Sequence, residues 1–383
     1  MCAVEWKKLG DVVKRNKGIA ITAGQMSELN TPNGDVRVFA AGQTIADINK
    51  IDLPTDCAYN LPSIIVKSRG YIDFEFYEKP FTHKNEMWSY SFSDKKLGKF
   101  IYYYLTTKTD YFRDKAKANA VKLPQLCVAD TDNYLIPIPS LAKQQEIVSH
   151  LDTFTSLISN LESELDMRRK QYEHYRNQLL DFEGVEGVEW KTLGKICEIK
   201  GRIGFRGYTR DDQVEKGEGA IALTATNIVN QKINYDNCTY ISWFKYEESP
   251  EIKVNIGDII LCQRGSIGKV AIVKELPERA TINPQLLLLK NISCYNYFLI
   301  YYLCSAYFQK QLFGIIGHGT IQMISQRDLS SLCIPIPPLK TQQEIVEKLD
   351  AFENLIQSLE QEIKLRKQQY EYYREKLLTF EKE

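Results

Sequence analysis

A chain of 383 residues is too long for one ordinary hydrophobic core and suits two globular domains with connecting elements. Hydrophobic residues make up 44% and aromatic residues 11%, which is typical of a folded soluble protein, and no apolar run is long enough to cross a bilayer. The formal net charge is zero, which excludes a uniformly basic or acidic protein.

The charge is not evenly distributed. Residues 1–134 carry 19 Lys and Arg against 16 Asp and Glu, and residues 187–332 carry 17 against 14, so each of these segments is slightly basic. The nine cysteines form no CxxC pair and no cluster with the four histidines (His83, His150, His174 and His318), which argues against a disulfide framework or a zinc site. With no export signal at the start, we expect a cytoplasmic protein without a membrane partner.

The first domain opens with Val4-Glu5-Trp6-Lys7 and contains a β-branched run at residues 63–70 that predicts a buried strand ending in an Arg-Gly turn. A short aromatic helix is predicted at residues 100–105, followed by a polar loop at residues 113–122. Basic side chains beside a turn or in a loop are potential phosphate and base contacts, although each could equally be a solvated surface charge. The candidates in this domain are Lys67, Arg69, Lys115, Lys117 and Lys122.

The Pro137-Ile138-Pro139 run excludes helix and predicts an extended exit from the first domain. A long helix is then predicted from about Leu141 to Leu180, which at 1.5 Å per residue spans about 60 Å. Apolar and aromatic residues alternate at spacings of four and three along it, interrupted only by Arg168. This seam consists of Ile147, Leu151, Phe154, Ile158, Leu161, Leu165, Tyr172, Tyr175 and Leu179.

After a short connection at residues 181–187, the opener returns as Val188-Glu189-Trp190-Lys191. The second domain repeats the plan with a strand at residues 258–262, an Arg-Gly turn at residues 263–269, an aromatic helix at residues 298–303 and a glycine-bearing loop at residues 314–322. Equivalent landmarks are 184 residues apart at the openers and 198 apart from the aromatic helix onward, so the length difference lies in the strand-and-loop body. The candidate contacts are Gln263, Arg264, Ser266, Lys269, Thr320 and Gln322.

A Pro335-Ile336-Pro337 run precedes a second long helix that repeats more than half of the first. Arg366 interrupts its seam where Arg168 interrupts the first, and the seam consists of Ile345, Leu349, Phe352, Ile356, Leu359, Ile363, Tyr370, Tyr373 and Leu377. A helix this long cannot hide a narrow apolar stripe within its own domain. Because the second helix must run back, we predict an antiparallel pair with Tyr172 and Tyr175 near Phe352 and Leu349. The alternative is two separate intermolecular coiled coils.

The ends of the chain carry halves of one repeated junction, because the residues after the second helix stop where the first copy continues into the opener. We therefore expect the two termini to lie near each other. Familiar catalytic motifs are missing from the sequence. Residues 265–269 resemble a phosphate loop, but the glycines are too close and Val270 stands where Ser or Thr is needed, and Gly317-His318-Gly319 lacks a third glycine and a following helix.

Taken together, the duplicated openers, the GDIILCQRGSIGKVAIV stretch, the IPIPxL and QQEIV entries and the two long helices resemble the DNA-specificity subunits of type I restriction–modification enzymes. The resemblance covers essentially the whole chain. It implies an α+β protein in which two mixed α/β target-recognition domains, related by a pseudo-two-fold internal repeat, are separated by a long antiparallel two-helix coiled coil. Each domain reads one half of a bipartite target in double-stranded DNA.

The resemblance further implies two adenine methyltransferase subunits and the restriction (motor–nuclease) subunits as partners. It implies no catalytic residue, metal or cofactor in this chain, with S-adenosylmethionine, ATP and magnesium in the partner subunits. The predicted segments are recognition domain 1 at 1–138, spacer helix 1 at 139–183, recognition domain 2 at 184–336 and spacer helix 2 at 337–383. Two alternatives stay open: a coiled-coil scaffold with two protein-binding domains, and an enzyme without familiar signatures.

Overall fold

The computed structural model describes residues 4–120, 122–204, 207–315 and 322–381. Among these residues, the first globular body has nine strands, five short helices and a 3-10 helix at Lys50–Asp52. Its strands are β1 (Glu5–Lys8), β2 (Lys14–Asn16), β3 (Val36–Phe39), β4 (Ile45–Ile48), β5 (Ser63–Lys67), β6 (Asp73–Tyr77), β7 (Phe81–His83), β8 (Trp88–Ser91) and β9 (Leu135–Ile138). Its helices are α1 (Leu9–Val12), α2 (Ala23–Leu29), α3 (Lys95–Thr106), α4 (Thr109–Ala118) and α5 (Val128–Asp132).

The long helix α6 (Leu141–Leu179) leads to the second globular body. The strands of this body are β10 (Glu189–Thr192), β11 (Glu198–Gly201), β12 (Gln213–Val214), β13 (Gly219–Leu223), β14 (Ile228–Val229), β15 (Lys232–Ile233), β16 (Thr239–Ser242), β17 (Ile259–Cys262), β18 (Val270–Ile272), β19 (Ala280–Ile282), β20 (Leu286–Lys290) and β21 (Cys333–Ile336). Its helices are α7 (Leu193–Ile196), α8 (Trp243–Glu247), α9 (Asn296–Leu303), α10 (Ala306–Gly314) and α11 (Gln326–Ser331), with 3-10 helices at Arg210–Asp212, Ala225–Asn227 and Pro250–Ile252. The second long helix is α12 (Leu339–Leu378).

The two bodies share one plan of sheets. The antiparallel order β2-β8-β5-β6 in the first corresponds to β11-β20-β17-β18 in the second. The order β4-β3-β7, with β3 and β7 parallel, corresponds to β16-β13-β19, to which the second body adds β12. The hairpin β14-β15 has no counterpart in the described part of the first body. The bodies therefore differ in their connections and agree in their frame.

Each body begins and ends on the same two-stranded pair. The opener tryptophan pairs with the central proline of the exit strand in both copies, Trp6 with Pro137 and Trp190 with Pro335. Proline lacks an N–H donor and is tolerated in such a short edge pairing. The predicted extended exits before the long helices are confirmed. One prediction was wrong: residues 113–118, expected as loop, belong to α4, which follows α3 after a short turn.

Contacts divide the chain into two compact units, unit 1 (Met1–Ser163 and Gln361–Glu383) and unit 2 (Glu164–Glu360). Each unit thus contains one globular body and a part of both long helices. The four segments predicted from sequence stay a prediction, since this division cuts both helices near their middles. The helix bounds themselves agree with the expected start near Leu141 and end near Leu180.

Within each unit the two helices run antiparallel. In unit 1, the rings of Phe154 and Tyr373 stack with centroids 5.5 Å apart, and Lys367 forms an ion pair of 2.6 Å with Glu162. In unit 2, Tyr175 stacks on Phe352 at 5.4 Å, and the ring of Tyr172 lies 6.4 Å from it. An ion pair of 2.6 Å between Arg169 and Glu360 repeats the one in unit 1. The predicted fold class, with a pseudo-repeated antiparallel coiled coil, is confirmed.

Most seam residues are shielded from solvent. Six are buried, namely Ile147, Leu151, Ile345, Leu349, Leu359 and Ile363. Tyr175 and Tyr373 stay 38% and 37% exposed, and the other predicted seam residues are half-buried. Each interrupting arginine is bonded to residues of its own helix. The guanidinium of Arg168 donates to Gln171 and Glu164 at 3.0 and 3.4 Å. That of Arg366 donates to Gln369 and Glu362 at the same distances.

Each globular core is completed by the end of the long helix from the other repeat. In unit 1, Leu378 is buried in the core and the ring of Phe380 packs edge-on against Phe100 at 6.1 Å. In unit 2, Leu180 is buried and Phe182 packs against Phe298 at 6.0 Å. Because Trp6 packs against the same core as Phe380, the expected proximity of the two chain ends is confirmed for the described residues. In the described part of the chain, no helix is both long and apolar enough to span a bilayer.

The burial of Leu378 in the core of unit 1 predicts how far a cavity at the end of α12 would destabilise the protein. Leu378 is 2% exposed, whereas Leu365 in the same helix is 56% exposed. We expect Leu378→Ala to lower the free energy of unfolding by about 2–5 kcal/mol and Leu365→Ala to change it by less than about 0.5 kcal/mol. Chemical denaturation of both variants measures the difference. Equal effects would contradict the packing described for the end of α12.

The buried imidazole of His83 predicts a pH dependence of stability. Burial lowers the pKa of His83 to about 4, against the opposing effects of the Lys84 carbonyl and Glu86. The unfolded state binds a proton at this histidine near the ordinary pKa, whereas the folded state binds it only near pH 4. The stability that comes from keeping His83 neutral is therefore fully present above about pH 6.5 and is lost as the pH falls toward 4. We expect a loss of about 3 kcal/mol in unfolding free energy across this window. In His83→Gln that loss should vanish, and an unchanged pH profile would refute the assignment.

Candidate nucleic-acid interface

In unit 1 the strand β5 ends in an exposed Arg-Gly turn that is held against a downstream loop. Arg69 forms a backbone bridge with Gln125, and the N–H of Gly70 donates to the carbonyl of Pro124 at 2.8 Å. Gly70 has φ +76°, a left-handed conformation that glycine adopts without a Cβ clash. The N–H of Leu126 donates to Ser68 O at 2.8 Å. Backbone hydrogen bonds therefore join the turn (residues 68–70) to the loop (residues 124–126), and we call this joined surface the ledge of unit 1.

Unit 2 has an equivalent ledge at the end of β17, formed by the turn at residues 263–265 and the segment at residues 323–324. Arg264 bridges Met323, and the N–H of Ile324 donates to Gln263 O at 3.0 Å. Gly265 has φ +79°, the counterpart of Gly70. In each unit the segment that follows the predicted polar loop, residues 124–126 in unit 1 and 323–324 in unit 2, thus lies beside the Arg-Gly turn.

The arginine side chains of both turns have no partner among the described residues. Arg69 and Arg264 are exposed, and within the described part of the chain neither guanidinium forms a hydrogen bond or an ion pair. A guanidinium held on a rigid turn presents a planar fork of donors that suits guanine edges and phosphate oxygens. Lys122 and Gln322 are exposed and lie within three residues of the backbone bridges that join turn and loop.

Several other candidates already have internal partners. Lys67 pairs with Glu75 at 2.7 Å and Lys117 with Asp114 at 2.9 Å. The Gln263 side chain donates to Pro284 O at 2.9 Å, which fixes the start of the turn. Lys115 lies over the ring of Tyr111 at 6.0 Å and lines a cavity bounded by aromatic residues.

The remaining candidates differ in what surrounds them. Ser266 is half-buried and accepts a hydrogen bond from Lys269 N at 3.2 Å through its backbone carbonyl, while the Lys269 side chain is exposed. Thr320 lies outside the described residues. The role of every candidate in binding DNA stays a prediction.

Sequence reasoning missed the connection that borders each ledge. In unit 1 the tight β3–β4 turn approaches the arginine, because the N–H of Gly42 donates to Arg69 O at 3.2 Å. In unit 2 the equivalent connection, residues 224–238, carries the hairpin β14-β15. The hairpin lines a cavity of about 400 Å³ together with Gly268, Lys269 and Gln309. The run Ile-Val-Asn-Gln-Lys-Ile, with an apolar pair before a two-residue turn and Lys-Ile after it, was the available signal.

The described residues offer no candidate metal site. Among them, no group of three or more His, Cys, Asp or Glu side chains could hold a metal ion. The thiol nearest the second ledge, Cys262, ends a buried strand, and burial raises its pKa to about 11, which keeps it protonated and poorly reactive. The exposed Arg, Lys and Gln side chains at the ledges are hydrogen-bond donors.

Comparison with known proteins identifies the family of this chain. A family model described as the type I restriction modification DNA specificity domain matches residues 3–167 and again residues 186–365. The chain is 31% identical to the specificity subunit of a type I restriction enzyme of Escherichia coli, over 99% of this chain and 95% of that protein. The chain belongs to the type I restriction–modification DNA-specificity family.

Solved structures of specificity subunits share the fold. The S subunit of a type I restriction–modification system from M. genitalium aligns with a TM-score of 0.59 at 16% identity, covering 100% of this chain and 98% of that one. The HsdS subunit from Thermoanaerobacter tengcongensis aligns with a TM-score of 0.51 at 16% identity, covering 99% and 97%. The double match of the specificity-domain model coincides with the internal repeat, so each unit carries one copy of the domain.

The second ledge predicts a measurable difference between a base contact and a phosphate contact. If Arg264 grips a guanine with two hydrogen bonds, Arg264→Ala should cost about 1–3 kcal/mol of discrimination at one base pair. Arg264→Lys should lose that discrimination while keeping most of the affinity, because lysine keeps the charge and lacks the planar fork.

The measurement is the dissociation constant of the assembled complex for target duplexes with single base-pair replacements. Arg327→Ala, an exposed arginine on α11, is the control and should leave discrimination unchanged. If both Arg264 variants discriminated as the natural chain does, the ledge would not be a base-reading element.

Proposed function

We propose that the chain is the sequence-specific DNA-binding subunit of a type I restriction–modification enzyme, in which each globular body reads one half of a bipartite target in double-stranded DNA. The observation that carries the proposal is the repeated ledge. Two bodies present the same Arg-Gly turn bridged to a downstream segment, and the connections around the turn differ between them. Two domains that recognise different base sequences need the same scaffold to place their contacts and different residues around it to select the bases.

The paired helices supply the gap between the half-sites in this proposal. α6 contains 39 residues and α12 contains 40, so each helix is about 60 Å long. This length is commensurate with nearly two turns of DNA, each about 34 Å. Helix length would then determine how many unread base pairs separate the two half-sites.

Two identical methyltransferase subunits are proposed to bind this chain, because a duplicated surface offers two equivalent docking sites. Apolar side chains are exposed at equivalent positions of the two long helices. In unit 1 these are Leu157 and Leu365, at 36% and 56% exposed, and in unit 2 they are Leu355 and Met167, at 40% and 62%. Exposed apolar residues repeated in both units favour a protein partner at each copy.

Catalysis is assigned to the partners in this proposal. The chain itself is proposed to be non-catalytic and to hold no cofactor, with S-adenosylmethionine in the methyltransferase subunits and ATP and magnesium in the restriction subunits. It directs those subunits to the target through its own contacts with DNA.

The proposal predicts that helix length controls the gap alone. One heptad inserted after Glu164 and one after Glu362 keep the apolar seam in phase and lengthen each helix by about 10 Å. We expect the unread gap to grow by about three base pairs while both half-site sequences stay the same. Mapping of methylated adenines in cells with the cognate methyltransferase measures both.

A heptad inserted into α6 alone serves as the control, because it unbalances the pair and should abolish methylation. An unchanged gap in the doubly lengthened chain would contradict the proposal that the helices set the spacing. A scaffold for protein partners alone predicts no dependence of any methylated motif on this chain.

A further inference from the structure

We propose that the β14-β15 hairpin of unit 2 reads an A·T base pair through the amide side chains of Asn230 and Gln231. The inference rests on the proposed function, because it names a reading element within the proposed half-site recognition. It concerns residues that no motif in the sequence singled out.

The hairpin occupies the place where the two bodies differ. In unit 1, β3 and β4 are joined by residues 40–44, and Gly42 of this turn touches the backbone of Arg69. In unit 2 the corresponding strands β13 and β16 are joined by residues 224–238. The extra residues build the hairpin beside the second Arg-Gly turn. An element inserted at the ledge of one body only is suited to give that body a different base preference.

The base of the hairpin is rigid. Ile228 is 4% exposed and packs in a core cluster of unit 2, and Ile228 pairs with Ile233. The Asn227 side chain donates to Asn234 O at 3.0 Å, and the N–H of Asn234 donates to Asn227 O at 2.8 Å. These bonds close the loop directly below the strands. The tip is thereby held at a fixed place while Val229, Asn230 and Lys232 stay exposed.

The tip keeps a conformation that its residues do not favour. Asn230 has φ +48° and Gln231 has φ +63°, as in a type I′ turn, for which Asn-Gly is the preferred pair. Asparagine tolerates the left-handed region, but glutamine does so poorly. Strained backbone of this kind is concentrated at functional sites. A side chain in place of the relaxed glycine therefore suggests that the Gln231 amide serves a purpose beyond forming the turn.

The chemistry of the tip matches adenine. The amides of Asn and Gln form paired hydrogen bonds with N6 and N7 of adenine in the major groove, which is wide enough for a two-stranded ribbon. Across the cavity lined by the hairpin lie Gly268 and Lys269 of the Arg-Gly turn. Gln309 fixes this wall by donating to Gly268 O at 3.0 Å. Lys269, which lines the same cavity, and Lys232, which follows the tip, are exposed and add positive charge that suits the phosphates flanking a contacted base.

The test uses a substitution that removes the amide and improves the turn. Gln231→Gly creates the favoured Asn-Gly pair, so the fold should be kept, and Asn230→Gly removes the other amide. The assembled chain–methyltransferase complex is titrated at fixed salt with duplexes carrying its mapped target and with duplexes in which each A·T pair is replaced in turn. We expect at least one of the glycine variants to lose roughly 5- to 150-fold of discrimination at one A·T pair in one half-site.

The control is Asn291→Gly, another unit 2 residue with positive φ (+51°), whose side chain is bonded to Glu198. It should leave discrimination unchanged. The inference is overturned if both glycine variants discriminate at every position as the natural chain does, or if affinity falls equally for target and non-target duplexes. If the natural chain itself directs no bipartite methylated motif, the proposed function fails instead, so the two failures are distinguishable.

Discussion

Each long helix carries an apolar stripe that must be shielded from water. Neither helix can bury its stripe against residues of its own repeat alone. In each unit the stripe of one helix packs against the other helix. The C-terminal end of the helix from the other repeat also packs into the globular core, α12 in unit 1 and α6 in unit 2. Leu378 and Phe380 do this in unit 1, as Leu180 and Phe182 do in unit 2. Folding of each body is thereby coupled to pairing of the helices.

A second set of contacts fixes each body on the long helix that follows it. The Tyr103 hydroxyl donates to Asp152 at 2.7 Å in unit 1, and the Tyr301 hydroxyl donates to Asp350 at 2.5 Å in unit 2. Burial and the adjacent carboxylate raise the pKa of both tyrosines well above the ordinary range, so both remain donors. The parts that must stay constant, the helices and the ledges, are therefore built from repeated bonds. The variable parts are connections between strands that can change without disturbing these bonds.

The sequence was sufficient to predict the repeat, the helix pair and its direction, because a heptad seam and chain connectivity are local and topological facts. It also predicted the Arg-Gly turns, since β-branched runs ending at glycine have few alternatives. It could not predict that Lys67 and Lys117 have carboxylate partners, because such pairs depend on side-chain placement. The helix at residues 113–118 was misjudged because a run of charged residues can be loop or solvated helix, and here Phe112 anchors it in the core. The unit 2 hairpin escaped notice because two two-residue strands give too short a periodic signal.

We propose that one chain, built as two different readers on a duplicated helical pair, defines a bipartite DNA target. The most direct measurement is a genome-wide map of methylated adenines in cells that carry the cognate methyltransferase subunits, with and without this chain. We expect a two-part motif with an unread gap that appears only when the chain is present. A map that does not change with the chain, or a single uninterrupted motif, would contradict it.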